Sequence, residues 1–164
     1  MVTIRCTRKL LWHLDAEVLS ERMPPTSRLG DWYANLFFTR RAPLIICVSE
    51  RSLLPVFVEA RDPSSFFARF REAVRLVLQR MEVASEVADR EAREMAQISI
   101  GATASRRVLG SLNDLASLAR FTIEEHPTID LSNLAIGLAE TPCSPLSYES
   151  PRSVSLVLLR QEDS

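Results

Sequence analysis

Apolar and polar positions alternate along much of the first sixty residues and then settle into a longer period. Val2–Cys6 alternates Val and Ile with Thr and Arg, which predicts a short strand. Thr7 is placed to cap a helix over Arg8–Leu14, with Leu10, Leu11 and Leu14 on one side. Ser20–Gly30 carries Pro24, Pro25 and Gly30 and reads as a loop. Trp32–Thr39 is rich in aromatics, Leu44–Val48 is a continuous apolar run, and Leu53–Val58 follows a polar turn, so three strands succeed one another through short connections. Pro55 marks the last of them as an edge strand or an irregular one.

From Phe66 the pattern is helical. Phe66, Phe67, Phe70, Val74, Val77, Leu78 and Met81 form one stripe, opposite Arg71, Glu72, Arg75 and Gln79. A second, more polar helix is expected over about Ser85–Met95. Gln97–Thr103 returns to strand-like alternation. Ser105–Glu125 reads as a helix with Val108, Leu109, Leu112, Leu115, Ala116 and Ala119 inward; a shorter helix capped at Ser111 is the alternative. His126-Pro127 ends it. Asp130–Ala139 predicts a short helix, Thr141–Pro151 a proline-containing loop, and Ser153–Arg160 an amphipathic segment. The expected fold is α+β: an antiparallel sheet of about five strands in the order β-α-βββ-αα-β-α, covered by two main helices. Residues 1–126 are expected to form one domain. Residues 127–164 are expected to add short helices and a tail packed on it or extending from it.

Composition narrows the function classes. The chain has 164 residues, 46% of them apolar and 25% charged, with a net charge of −1; this is a globular composition, and it argues against a polybasic binder of nucleic acid or membrane. Lys9 is the single lysine against nineteen arginines, an asymmetry that a composition bias explains as well as function does. No apolar run approaches the roughly 18 residues of a membrane span, and Leu10–Leu14 is too short for a signal segment. A soluble, non-exported, cytoplasmic protein with no membrane partner is expected. Cys6, Cys47 and Cys143 are odd in number and widely spaced, so neither a disulfide framework nor a structural metal site is expected. No cofactor is expected either: the four glycines build no phosphate-binding loop, and no catalytic signature of the common hydrolase or metalloenzyme types occurs.

Three short polar stretches remain as candidate chemistry. Arg5, Thr7 and Lys9 precede or open the first helix, where amides and cations can hold an anion; the bland reading is a capped helix with surface charge. Asp31, Trp32 and Asn35 combine an acid, an aromatic and an amide within five residues. Trp32 could stack on a ligand while Asp31 and Asn35 bond to it, or the segment could simply begin a strand with Trp32 in the core. Arg106, Asn113 and Asp114 share a helix with Arg107 and Ser111, either as an anion site or as intrahelical pairs on a wet face.

The stretches Ile4-Arg5-Cys6-Thr7 with Lys9-Leu10-Leu11, Leu29-Gly30-Asp31-Trp32-Tyr33-Ala34-Asn35-Leu36, Ser49-Glu50-Arg51 with Leu53-Leu54-Pro55-Val56, and Ser105-Arg106 with Val108–Asp114 resemble an uncharacterised family of small bacterial proteins carrying a domain of unknown function. Arg51 and Ser105 stand where that pattern has Lys and Asn. The resemblance implies a bacterial source and one domain, and supplies no catalytic residue. The function expected from the residues is a binding or interaction domain for an anionic or nucleotide-like ligand, a nucleic acid or a partner protein, with a homodimer left open. The three stretches would then converge near one end of the molecule. The alternative is a phosphoryl-cleaving enzyme of the toxin kind, with Asp31 or Asp114 as base and Arg106 stabilising charge.

Overall fold

The computed structural model describes residues 1–19 and 23–161; positions 20–22 of the expected loop and the last three residues of the expected tail lie outside it. The first sixty positions hold four strands and a short helix: β1 (Val2–Cys6), α1 (Arg8–Leu14), β2 (Trp32–Phe38), β3 (Pro43–Ser49) and β4 (Pro55–Glu59). Then come α2 (Phe66–Arg80), α3 (Ser85–Glu94), β5 (Ile98–Ala102), α4 (Arg106–Glu125), α5 (Leu131–Ala139) and α6 (Pro151–Arg160).

The fold is α+β, with one correction to the expected pairing. The sheet order is β4-β3-β2-β1-β5. β2, β3 and β4 form the expected antiparallel meander, but β1 runs parallel to both of its neighbours, β2 and β5. The sheet is therefore mixed rather than antiparallel. The physical reason lies in the connections. β1 reaches β2 through α1 and a long segment, and returns to β5 only after two more helices, and connections of that length permit a parallel crossover that a tight turn forbids. Pro55 opens β4, an edge strand, where its missing N–H costs the ladder nothing.

Helices cover both faces. Successive residues of β2 point to opposite sides: Trp32 meets the edge of Phe70 from α2 at 5.2 Å between ring centroids, whereas the Tyr33 hydroxyl accepts the Ser105 N–H, at the N-cap of α4, at 3.1 Å. α2 buries Phe66, Phe70, Val74, Val77 and Leu78, and α4 buries Val108, Leu112, Leu115, Ala119 and Ile123. The long α4 forms from Ser105 onward, with the Ser105 Oγ accepting the Val108 N–H, so the shorter helix capped at Ser111 is not what forms. Leu134, Ala135, Leu138 and Ala139 of α5 and Leu159 of α6 join the same core. Ser155 of α6 is tied to Ser52 by a buried 2.8 Å hydrogen bond.

The open edge of β5 is partly covered: the Leu19 N–H donates to the Ile100 carbonyl at 3.0 Å. α3, the more polar helix, does a specific job. Its Glu91 carboxylate, 1% exposed, accepts the Leu29 N–H at 2.9 Å and the Arg28 N–H at 3.1 Å, fixing the segment that enters β2.

Candidate functional site

The first two polar stretches meet, and their polar groups hold each other. Register pairs Ile4 with Trp32, so the residues before each, Thr3 and Asp31, are neighbours on adjoining strands. Asp31 Oδ1 accepts the Thr3 N–H at 2.8 Å, and its Oδ2 faces the Arg5 guanidinium at 3.3 Å. Arg5 donates a second hydrogen bond to the Ala102 carbonyl at 3.2 Å. Both ends of this ion pair are buried. The guanidinium reaches across β5 over Gly101, where a Cβ would come within 2.8 Å of the Thr3 methyl and 3.4 Å of an Arg5 Nη. On the other side, the Glu50 carboxylate accepts the Asp31 N–H at 3.1 Å, passing Gly30, whose φ of 79° suits glycine alone at little cost. One turn along, the Thr7 hydroxyl donates to Asn35 Oδ1 at 2.5 Å and caps α1 by accepting the Leu10 N–H at 3.4 Å.

Of the expected ligand groups, therefore, Arg5, Thr7, Asp31 and Asn35 are hydrogen-bonded within the scaffold. Trp32 is 0% exposed and presents no ring face to a ligand. It is a core residue, because an aromatic at the sheet centre buries more apolar area against Phe70 than any surface position would give it. Its indole N–H has no partner among the described residues.

The third stretch joins the other two only at its start. Ser105 sits on Tyr33, the register partner of Arg5, and Arg106 follows it, exposed. Asn113 and Asp114 lie about 10 Å or more further along the helix, also exposed. Asp114 faces the loop after α5, where its charge adds to burial in raising the Cys143 thiol above its ordinary value. The expected convergence of all three stretches is thus not what forms. None of the nine expected residues lines the four grooves described next.

Those grooves are modest. One of about 240 Å³ lies between β4, α2 and α5, lined by Phe57, Leu76, Val77 and Leu131 with Arg61, Arg69 and Glu72 at its rim. A wider one lies along α1, lined by Arg8, Leu11, Trp12, Asp15 and Ala16. A third, between Leu14, Pro63, Phe66 and Ile100, and a fourth, between Val83, Val87 and Leu156, are largely apolar. No group of three or more His, Cys, Asp or Glu side chains suited to a metal occurs among the described residues.

A further group of cations and exposed rings lies around α1 and the end of β2. Lys9 Nζ stands 5.7 Å from the centroid of the Phe38 ring. Arg120 of α4 reaches the Phe38 carbonyl through Nε at 3.0 Å. The turn that follows is closed by Thr39 and Ala42, whose N–H groups and the Thr39 hydroxyl bond across it, and it projects Arg40 into solvent. Trp12 is 90% exposed and Phe38 58%. Arg8, Lys9, Arg40 and Arg120 have no carboxylate within ion-pair distance among the described residues. Sequence reasoning singled out only Lys9 of this set. The signal for Trp12 was available: with Leu10, Leu11 and Leu14 turned inward, position 12 falls on the outer face.

Cys6 and Cys47 flank Ala34 on one face of the sheet, in register from β1 through β2 to β3. A strand lies between them, so their Cα atoms are about 9–10 Å apart and they cannot form a disulfide. Burial pushes the Cys6 thiol up to about 12 and raises Cys47 well above the ordinary range, with the neighbouring Cys6 adding to the shift. These are protonated, unreactive thiols.

A profile for the family described as a domain of unknown function, DUF6933, matches residues 3–154, nearly the whole chain. The chain belongs to that family. The match spans β1 through to the middle of α6, so it takes in the inner network, the outer end of α1 and β2, and the C-terminal helices alike. No curated protein and no solved structure matches this DUF6933 chain. No helix of the described residues is long and apolar enough to cross a membrane.

Proposed function

We propose that this DUF6933 protein is a binding module for an anionic ligand, nucleotide-like or carried by a partner chain, and that it binds through the outer end of α1 and β2. The observation that carries this reading is a pair of cations on exposed Phe38, the Lys9 ammonium against its ring and the Arg120 guanidinium on its carbonyl, with Arg8 and Arg40 on the adjoining chain segments and none of the four paired with a carboxylate among the described residues. In a chain of net charge −1, unpaired cations on neighbouring segments make a local positive field that attracts anions. The buried thiols and the family resemblance support a bacterial, cytoplasmic setting, and a homodimer is an assembly that the same surface can serve. The alternative, a phosphoryl-cleaving enzyme, gains no support from the geometry. Asp31 uses both carboxylate oxygens within the scaffold, and Asp114 is on a different part of α4 from Arg106.

Retention on immobilised heparin tests the binding reading. The intact protein is expected to be retained at low salt and released as salt rises, and Lys9→Glu/Arg120→Glu is expected to flow through. Arg106→Glu/Arg107→Glu, on the start of α4, is expected to keep most of the retention. Failure of the intact protein to be held, or equal loss in both double variants, overturns the assignment.

A further inference from the structure

Around α1, Trp12 follows Arg8 by about 40° and Lys9 follows Arg8 by about 100°, so all three share the outward face while Leu10 is buried. Lys9 then leads to Phe38 and Phe38 to Arg120. Cations and exposed rings therefore alternate along one strip: Arg8, Trp12, Lys9, Phe38, Arg120. Asp15, at the C-cap of α1, lines the same groove as Arg8 and Trp12, and Glu124 lies one turn beyond Arg120 on α4. An alternation of flat π faces with cations is what a single strand of nucleic acid requires, since its bases and phosphates alternate in the same way. A duplex hides its base faces in the stack and would leave Trp12 with nothing to cover it. An acidic peptide would satisfy the cations and leave the two rings without matching planar groups.

We propose that this strip binds single-stranded nucleic acid, with bases stacked on Trp12 and Phe38 and phosphates held by Arg8, Lys9 and Arg120. The proposal rests on the anion-binding reading above and adds the chemical class of the ligand. Trp12 supplies the most open stacking platform. Phe38 is clamped by the Lys9 ammonium near one face and by the Arg120 bond to its carbonyl, so its ring is held in place before a base arrives.

The test is fluorescence anisotropy with labelled oligo-dT and oligo-rU of about twelve nucleotides, read beside tryptophan quenching. Trp12 is the exposed indole and Trp32 is buried, so quenching reports on Trp12. Saturable binding is expected, with a log–log salt slope of about −2 for about three phosphate contacts. Trp12→Ala is expected to weaken binding about tenfold, Trp12→Phe to restore most of it, and Lys9→Glu/Arg120→Glu to abolish it. Circular dichroism and urea unfolding of each variant confirm that the fold is intact. If heparin is held but oligonucleotides are not, or if Trp12→Ala binds as tightly as the intact protein, stacking is overturned and anion binding survives. Polyglutamate competing as well as oligo-dT would make the ligand an acidic protein, contrary to the proposal. If neither heparin nor oligonucleotide binds, both readings fall.

Discussion

Two polar regions flank the β1–β2 junction, and they behave in opposite ways. In the inner region, Arg5, Asp31, Thr7 and Asn35 are buried or half-buried, and each is bonded to another part of the fold. In the outer region, Trp12 and Phe38 are exposed, and Arg8, Lys9, Arg40 and Arg120 have no carboxylate partner among the described residues. The difference teaches that a cluster of polar residues in a short stretch is no site until its partners are counted. A buried ion pair between adjoining strands fixes their register and can leave nothing over for a ligand. Exposed cations beside exposed rings have both charge and surface left to offer.

The largest expected effect is in the inner region. Asp31→Ala removes the partner of a buried guanidinium and the acceptor of the Thr3 N–H, so it should destabilise the protein by about 3–5 kcal/mol in urea unfolding. A loss under about 1 kcal/mol would show that water can reach Arg5 and that the pair is not structural. Glu91→Ala strips the acceptor from two backbone N–H groups at the entrance to β2. A loss of about 3 kcal/mol is expected by the same measurement, since the adjacent Leu29 is fully buried. Asp130→Ala, which removes the cap that accepts the Asn133 N–H at 2.8 Å, should cost about 1 kcal/mol. At the outer end, Trp12→Ala and Lys9→Ser should change stability by less than about 0.5 kcal/mol, so that loss of binding in those variants reports on the surface alone.

The thiols sharpen the contrast with pH. Cys6 titrates in the folded protein near 12, well above an unfolded thiol. Its neutral form is compatible with the fold, so its contribution is fully present below about pH 8.5 and is lost as pH rises toward the folded value. Stability should fall through this alkaline window, and Cys6→Ala should flatten the fall measured by unfolding at successive pH values. At neutral pH, a thiol reagent should modify half-buried Cys143 first and reach Cys6 and Cys47 only at the rate of opening of the fold.

Much of the architecture was legible in the chain. The alternation at Val2–Cys6, the apolar run at Leu44–Val48 and the phenylalanine stripe from Phe66 mark elements that form within a residue or two of where period alone puts them. The direction of β1 was not legible, because strand pairing is decided by where a long connection returns, and local pattern carries no information on that. Less of the candidate site could be read. Asp31 and Arg5 have the residue types of an anion site, and the same types suit a buried ion pair; twenty-six positions separate them in the chain, and only the register of β1 on β2 brings them into contact. Trp32 looked like a stacking platform because aromatics serve both cores and ligands. The outward position of Trp12 follows from the helical period, but only the fold brings Phe38 beside Lys9 of the same helix.

Urea unfolding of Asp31→Ala beside Trp12→Ala tests the division between inner scaffold and outer surface most directly. The predicted result is a midpoint far below that of the intact protein for Asp31→Ala and an unchanged midpoint for Trp12→Ala. An unchanged midpoint for Asp31→Ala, or a large drop for Trp12→Ala, would contradict it.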